Sequence, residues 1–238
     1  MSLASPVAPT NDKPARRTQA ERSDSMRSRL LEATLQSLAE DGYAASTLSS
    51  IVRRAGVSRG AQVHHYPNKQ ALMLDAAEDL LRRTYRQLGE LLLSIGDEDD
   101  RLTRLVKAAW DQVFATPLFH AYTELLVASL RDKPLAEALR ERLKRVQSVF
   151  APAVEHYFEP NPRQGSGVGG TSKADLHALF QQLSCFLVGL ATQAHLMKDR
   201  AQVQAHLALW ARQAGLLMKA RKGVRLPPPR PEAWPRKD

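Results

Sequence analysis

Between about Asp24 and Arg221 the apolar residues of this chain return at intervals of three and four, and no run of β-branched residues alternates with polar ones. That period, carried by strong helix formers, specifies amphipathic helices, so the expected fold is all-α. Breaks at Gly and Pro divide the pattern into about nine helices. The first runs from about Asp24 to Glu40, with Leu31, Leu35 and Leu38 on one stripe, and Asp41-Gly42 ends it. Thr47 caps a short second helix whose Leu48, Ile51, Val52 and Ala55 face inward. Ser58 caps a short third helix that reaches about His65. Pro67-Asn68 stops it and caps a long fourth, from Lys69 to about Ser94. Further helices are expected at roughly 101–115, 118–131, 135–158, 174–197 and 200–221. Pro117 and Pro134 suit first turns, whereas Pro152 should kink or divide its helix.

Outside this pattern lie three breaks. Residues 1–24 are rich in Pro, Ser, Thr and charge and read as a flexible basic arm. Residues 160–173, PNPRQGSGVGGTSK, read as a mobile loop. Residues 223–238 carry five prolines and read as an unstructured tail. The expected organisation is the arm at 1–24, a small helical domain at 25–72, a larger one at 73–222, and the tail. No continuous apolar run approaches the ~18 residues of a membrane span, and the N-terminus lacks the ~7–15-residue apolar stretch of a secretory signal. A cytoplasmic protein without membrane association is expected. Cys185, the single cysteine, excludes an internal disulfide and a multi-cysteine zinc site. In its apolar segment it reads as a buried core residue rather than a redox-sensing thiol.

The net charge of +9 is unevenly placed. Residues 1–70 hold ten Lys/Arg against six Asp/Glu, residues 71–218 hold seventeen of each, and residues 219–238 hold seven against two. More pointedly, the window from Gly42 to Leu74 contains no carboxylate but includes Arg53, Arg54, Arg59 and Lys69. Cations without neighbouring acids suit a polyanion, because each phosphate contact works by releasing counterions.

Inside that window the segment TLSSIVRRAGVSRGAQVHHYPNK, Thr47 to Lys69, has the form of a helix-turn-helix. Gly56 makes the turn, and Ile51, Ala55 and Val57 supply a small shared core. Ser58 puts an uncharged cap where backbone N–H groups can meet a phosphate. Arg59 stands at the N-terminal end of the second helix, the end that reaches base edges in such motifs. Adjacent His64 and His65 point about 100° apart on a helix, unlike the i, i+4 pairs that bind zinc, and no metal site is expected.

These residues carry a family resemblance. RLLEATLQSLAEDGY, the small residues before Thr47, AGVSRGA and HHYPNKQAL at this spacing make Met26–Leu80 similar to the DNA-binding domain of TetR-family regulators. The resemblance implies that Thr47, Tyr66 and Lys69 hold the phosphate backbone. Arg59, Gly60, Gln62 and His64 would lie nearest base edges, with Gly60 permitting close approach and His65 orienting the helix end or meeting a phosphate. Phosphate contacts set register, and base contacts specify sequence. The chain departs from the family at Gln62 and Val63, where a bulky aliphatic and then a tyrosine are common. Val63 is expected to pack. Gln62 is either free to pair with adenine or an idle polar residue.

The second half then divides into an effector region and a dimer face. Trp110, Phe114, Phe119, Tyr122 and Phe150 either fill a core or line a cavity. The resemblance implies a cavity for a small, largely apolar effector, with Thr123, His120 and Gln112 as polar contacts. The helices near 174–197 and 200–221 carry apolar stripes and small residues, among them Ala191, Ala194, Ala208, Ala211 and Gly215. The resemblance implies that they meet their copy in a four-helix bundle, the alternative being a hairpin within one chain. The expected partners are double-stranded DNA bearing a palindromic operator, a small-molecule effector and a second copy. No cofactor is expected, and no catalytic constellation or strand-linked glycine loop can be placed, so an enzyme is not expected. The function expected is that of a regulator, most simply a repressor released by its effector. The rival is a helical adaptor with a basic end that binds protein partners.

Overall fold

The computed structural model describes residues 18–95, 100–161, 172–197 and 199–229. Its helices are α1 (Gln19–Ala45), α2 (Leu48–Ala55), α3 (Arg59–His65), α4 (Lys69–Ile95), α5 (Arg101–Ala109), α6 (Pro117–Ser129), α7 (Lys133–Tyr157), α8 (Lys173–Gln193) and α9 (Arg200–Leu217). The architecture among the described residues is all-α in its main elements. The first three helices form a small head, and the core runs unbroken from Leu30 in α1 to Met218 after α9. In the head, α1 packs on α2 and α4, and it also packs on α6 of the larger body.

Local chemistry sets each boundary. α1 begins at Gln19, five residues before the expected start, because Thr18 and Glu21 form a reciprocal capping box. The expected arm therefore ends at Thr18 within the described residues, and residues 1–17 lie outside them. Gly42 breaks α1 with φ 76°, a left-handed conformation, and one further helical turn reaches Ala45. Thr47 caps α2 with Ser50, and Asn68 caps α4 by accepting the N–H of Ala71 at 2.8 Å. α7 runs through Pro152 without dividing.

Elsewhere the structure departs from a plain helical reading. The expected helix at 101–115 becomes a π-helical turn over Trp110–Phe114, where the Ala115 N–H donates to the Trp110 carbonyl at 2.9 Å. The wider turn brings Trp110, Val113 and Phe114 all to the buried side. Two three-residue strands, β1 (Phe158–Pro160) and β2 (Met218–Ala220), pair antiparallel where α7 and α9 end. Three residues are too few to show a period, so no pattern announces them.

The start of the expected tail is also ordered. Arg101, with no exposed surface, donates to the carbonyls of Arg221 and Val224 at 3.3 Å each, and His156 Nε2 lies 2.8 Å from the Leu226 carbonyl. The buried guanidinium lies 5.8 Å from the Tyr157 ring centre. Residues 230–238, and 162–171 of the expected mobile loop, lie outside the described residues.

By length and composition only, the helical stretch from Lys173 to Leu196 has an 18-residue window apolar enough to cross a membrane. Scattered Gln, Ser and Thr keep its continuous apolar runs short, as expected, without lowering its average below that level, and a core helix of a soluble protein meets the same measure. Only 28% of that window is buried within one chain. Cys185 is on its exposed side, contrary to the buried position expected.

Candidate nucleic-acid interface

The head is built from α1 outward. Arg29 of α1 donates to the carbonyls of Ala55 and Gly56 at 2.6 and 2.8 Å, satisfying the C-terminal end of α2. Gly56 adopts φ 60°, and a Cβ there would lie 2.9 Å from the Arg29 guanidinium. The turn thus favours glycine for its left-handed backbone, and the missing Cβ also leaves room for the capping arginine. The Ser58 carbonyl accepts the Gln62 N–H at 3.2 Å and opens α3.

At its far end α3 is bolted to two other helices. Tyr66, 5% exposed, donates its hydroxyl to Asp75 of α4 and accepts from Arg27 Nε of α1 at 3.2 Å. Arg27 also pairs with Asp75 at 2.7 Å. Burial, and the carboxylate that the hydroxyl serves, push the Tyr66 pKa well above the usual phenol range. Gln62, 4% exposed, donates from Nε2 to the Tyr66 carbonyl at 2.6 Å.

This inward side corrects two expectations. Gln62, expected either to reach a base or to stay partly exposed and idle, instead occupies the interior and spends its amide on the helix's own C-terminal carbonyl. Tyr66 is an internal anchor whose hydroxyl is already shared by two partners. Val63, expected to pack, is 62% exposed, since one residue's step along a helix carries the side chain about 100° round.

Outward from α3 stand Ser58, Arg59, Gly60, Val63 and His64, with His65 half-buried beside the Tyr66 ring at 6.4 Å. Arg53 of α2 is exposed as well, and neither it nor Arg59 makes an ion pair among the described residues. Arg54 differs, because the fold brings Glu40 and Asp41 of α1 to it, Asp41 at 2.9 Å. The carboxylate-free window of the sequence therefore does not leave Arg54 unpaired in the fold. Thr47 is exposed at the start of α2, its hydroxyl accepting the Ser50 N–H at 3.1 Å. Lys69 points toward α1, donating to the Tyr43 carbonyl with its ammonium 4.1 Å from the Tyr43 ring centre. Partial burial lowers its pKa. Arg27, Arg29 and Asp75, which position α3, gave no separate signal in the sequence, since the two arginines find their partners 26 to 48 residues away.

The candidate effector residues are partly gathered. Trp110, Phe114, Phe119 and Tyr122 are all buried. The Phe114 and Phe119 ring centres are 4.4 Å apart, and those of Phe119 and Tyr122 are 5.5 Å apart. Phe150 is elsewhere, edge-on to Tyr85 at 5.0 Å in a separate packing group with Val149 and Leu81. His120 and Gln112 are exposed, and the Thr123 hydroxyl donates to the His120 carbonyl of its own helix at 2.8 Å. The aromatic ladder of α6 and the turn before it is thus the part of this set that the fold assembles.

Comparison with known proteins agrees with this arrangement. The family model described as bacterial regulatory proteins, tetR family, matches residues 30–81. A Pseudomonas putida relative, the HTH-type transcriptional regulator CymR, is 36% identical over 132 residues, 56% of this chain and 64% of its own length. The chain thus spans just under two thirds of that relative. The HTH-type transcriptional regulator BetI of Agrobacterium fabrum is 24% identical over 179 residues, 75% of this chain and 87% of its own. Among solved structures, a Saccharomonospora viridis protein in complex with choline superposes with a TM-score of 0.58 at 18% identity, covering 84% of this chain and 100% of that one. A Mesorhizobium loti protein gives 0.59 at 15%, covering 82% and 96%. These two likenesses are of fold. The family match falls on the helices that set α3 outward, and over residues 30–81 the chain is similar to the tetR family of bacterial regulatory proteins.

Proposed function

We propose that this protein is a sequence-specific transcriptional regulator that binds duplex DNA through α3 as a homodimer in the cytoplasm. We further propose that it acts as a repressor released by a small, largely apolar effector. One observation carries the reading. The outer face of α3 presents Arg59, Gly60, Val63 and His64, with no ion pair to a carboxylate among the described residues, while Gln62 and Tyr66 fix the opposite face inside. A short helix anchored on its inner side, with an arginine left without an ion pair among the described residues on its outer side, suits entry into the major groove. Arg59 is the base reader, and Thr47 and Arg53 at the flank meet phosphates. Lys69 joins them where the backbone passes its end of α4. The two relatives named above are both called HTH-type transcriptional regulators, which supports the same reading.

Dimerisation follows from the body. Leu209, Leu216 and Leu217 of α9 are 42%, 49% and 41% exposed, and most of apolar α8 is uncovered. A second copy packed on α8 and α9 removes this surface from water. Its twofold axis sets two α3 helices about 34 Å apart, one DNA turn, for a palindromic site. The effector acts by parting the Phe114–Phe119–Tyr122 rings, and it shifts DNA affinity only by its different affinity for the two states. That the choline-bound neighbour holds a small molecule in this fold supports such a site. The function asks for no catalysis.

Selection of bound sequences from a random duplex pool with the full chain tests the proposal. It should return an inverted repeat with half-site centres about one helical turn apart. Recovery of unrelated sequences, retained equally by every duplex, would contradict it.

A further inference from the structure

Val63 is an apolar side chain held out from the fold at the centre of an otherwise polar surface. Gly60, Val63 and His64 are spaced i, i+3 and i+4, so they share one stripe of α3. Inside the helix, the 62% exposure of Val63 contrasts with 4% for Gln62 and 5% for Tyr66, so the isopropyl group adds nothing to the core. Gly60 is unexplained by the fold in a complementary way. It has no positive φ, and a Cβ added there would meet no atom within 4 Å. A helical glycine costs stability relative to alanine, and nothing internal compensates for it here. The two residues share one solvent-facing stripe of α3, about one helical turn apart, with exposed Arg59 next to Gly60.

Resting on the DNA reading above, we propose that Val63 is a specificity-determining residue that reads the 5-methyl group of thymine, with Gly60 providing the close approach. Of the groups presented in the major groove, the thymine methyl alone is apolar. Valine offers no hydrogen bond and cannot discriminate guanine, adenine or cytosine edges by pairing. It can gain only by taking a methyl group, and itself, out of water. Arg59 lies four residues before Val63, about 6 Å along the helix, a span of roughly two base steps of 3.4 Å. Each half-site therefore carries a thymine within about two steps of the base that Arg59 reads.

The test uses the full chain and the duplex recovered by selection. Each thymine in turn is replaced by deoxyuridine, which pairs identically and lacks only the methyl group. One symmetry-related thymine per half-site should be sensitive, its replacement weakening binding about fourfold, the value of one buried methyl. In V63A, whose melting should match that of the parent because the side chain is exposed, that sensitivity should fall below about twofold. Wild-type protein indifferent to deoxyuridine at every position would overturn the assignment, as would V63A retaining the full effect. A wild-type chain with no preference among duplexes would instead remove the DNA reading itself, an outcome separable because it precedes any thymine replacement.

Discussion

The carboxylate of Glu124, on α6, accepts the backbone N–H of Tyr43 at 3.1 Å, beside the break in α1 at Gly42. The carbonyl of the same Tyr43 accepts from Lys69 at the start of α4. One residue thus joins the body helix that carries Phe119 and Tyr122 to the head that carries α3. The contact is close on both sides, since a Cβ on Gly42 would sit 3.1 Å from Glu124 Oε2. On the proposed mechanism, a ligand that parts the aromatic rings would move α6 and, through Glu124, the junction.

Replacing Glu124 by alanine should therefore loosen the head without unfolding it. The expected effects are a loss of about 1 kcal/mol of stability, faster hydrogen exchange at the Tyr43 amide, and weaker duplex binding. E124Q, which keeps an acceptor oxygen, should lie between. Unchanged exchange and affinity in E124A would mean that this contact transmits nothing.

Much of this was readable beforehand. Thr47, Gly56, Asn68 and the inward residues Ile51 and Ala55 announced the head, because caps and turns are local chemistry. Gln62 and Val63 were misread in orientation. A polar residue buried to serve a carbonyl four residues on looks, in sequence, like one free to serve a partner, and an exposed valine looks like core. The Arg27–Tyr66–Asp75 cluster and the docking of Arg101 on residues 221–224 were invisible, since they join positions dozens of residues apart.

Two glycines of the head should respond oppositely to alanine. G56A forces an alanine into left-handed backbone and against Arg29, and should cost about 1–2 kcal/mol. G60A should raise stability by about 0.5–1 kcal/mol, the ordinary gain on replacing a helical glycine, yet weaken duplex binding by blocking the approach. Thermal melts paired with DNA titrations separate the two. A G60A protein that binds as tightly as the parent would show that no surface comes close there.

Tyr122 sets an alkaline limit. Burial pushes its pKa up to about 12, against 10 for an exposed phenol. The folded state therefore holds its proton more tightly than the unfolded state. The stability this represents is complete below pH 10 and is lost as pH rises through 12. Denaturant unfolding across pH 10 to 12 should show stability falling with pH, and Y122F should fall less steeply. Parallel curves would place that hydroxyl in water.

On α9, Leu216 is 49% exposed and faces the surface assigned to the second copy. L216D should convert a dimer to a monomer at micromolar concentration, with helical content retained, as sedimentation and circular dichroism would show. Binding to a palindrome should weaken far more than binding to a half-site. A variant that remains dimeric would exclude this part of α9 from the interface.

The central claim is that α3 reads base sequence through its outer face, with Arg59 at the reading end. The most direct measurement is the affinity of the full chain and of R59A for the selected duplex and for a composition-matched scramble, by fluorescence anisotropy at fixed salt. The wild type should prefer the selected duplex by a factor of at least about 10³. R59A should lose most of that preference, with a cost of about 1–3 kcal/mol on the selected duplex and little change on the scramble. Equal preference in the two proteins, or no preference in either, would contradict the account.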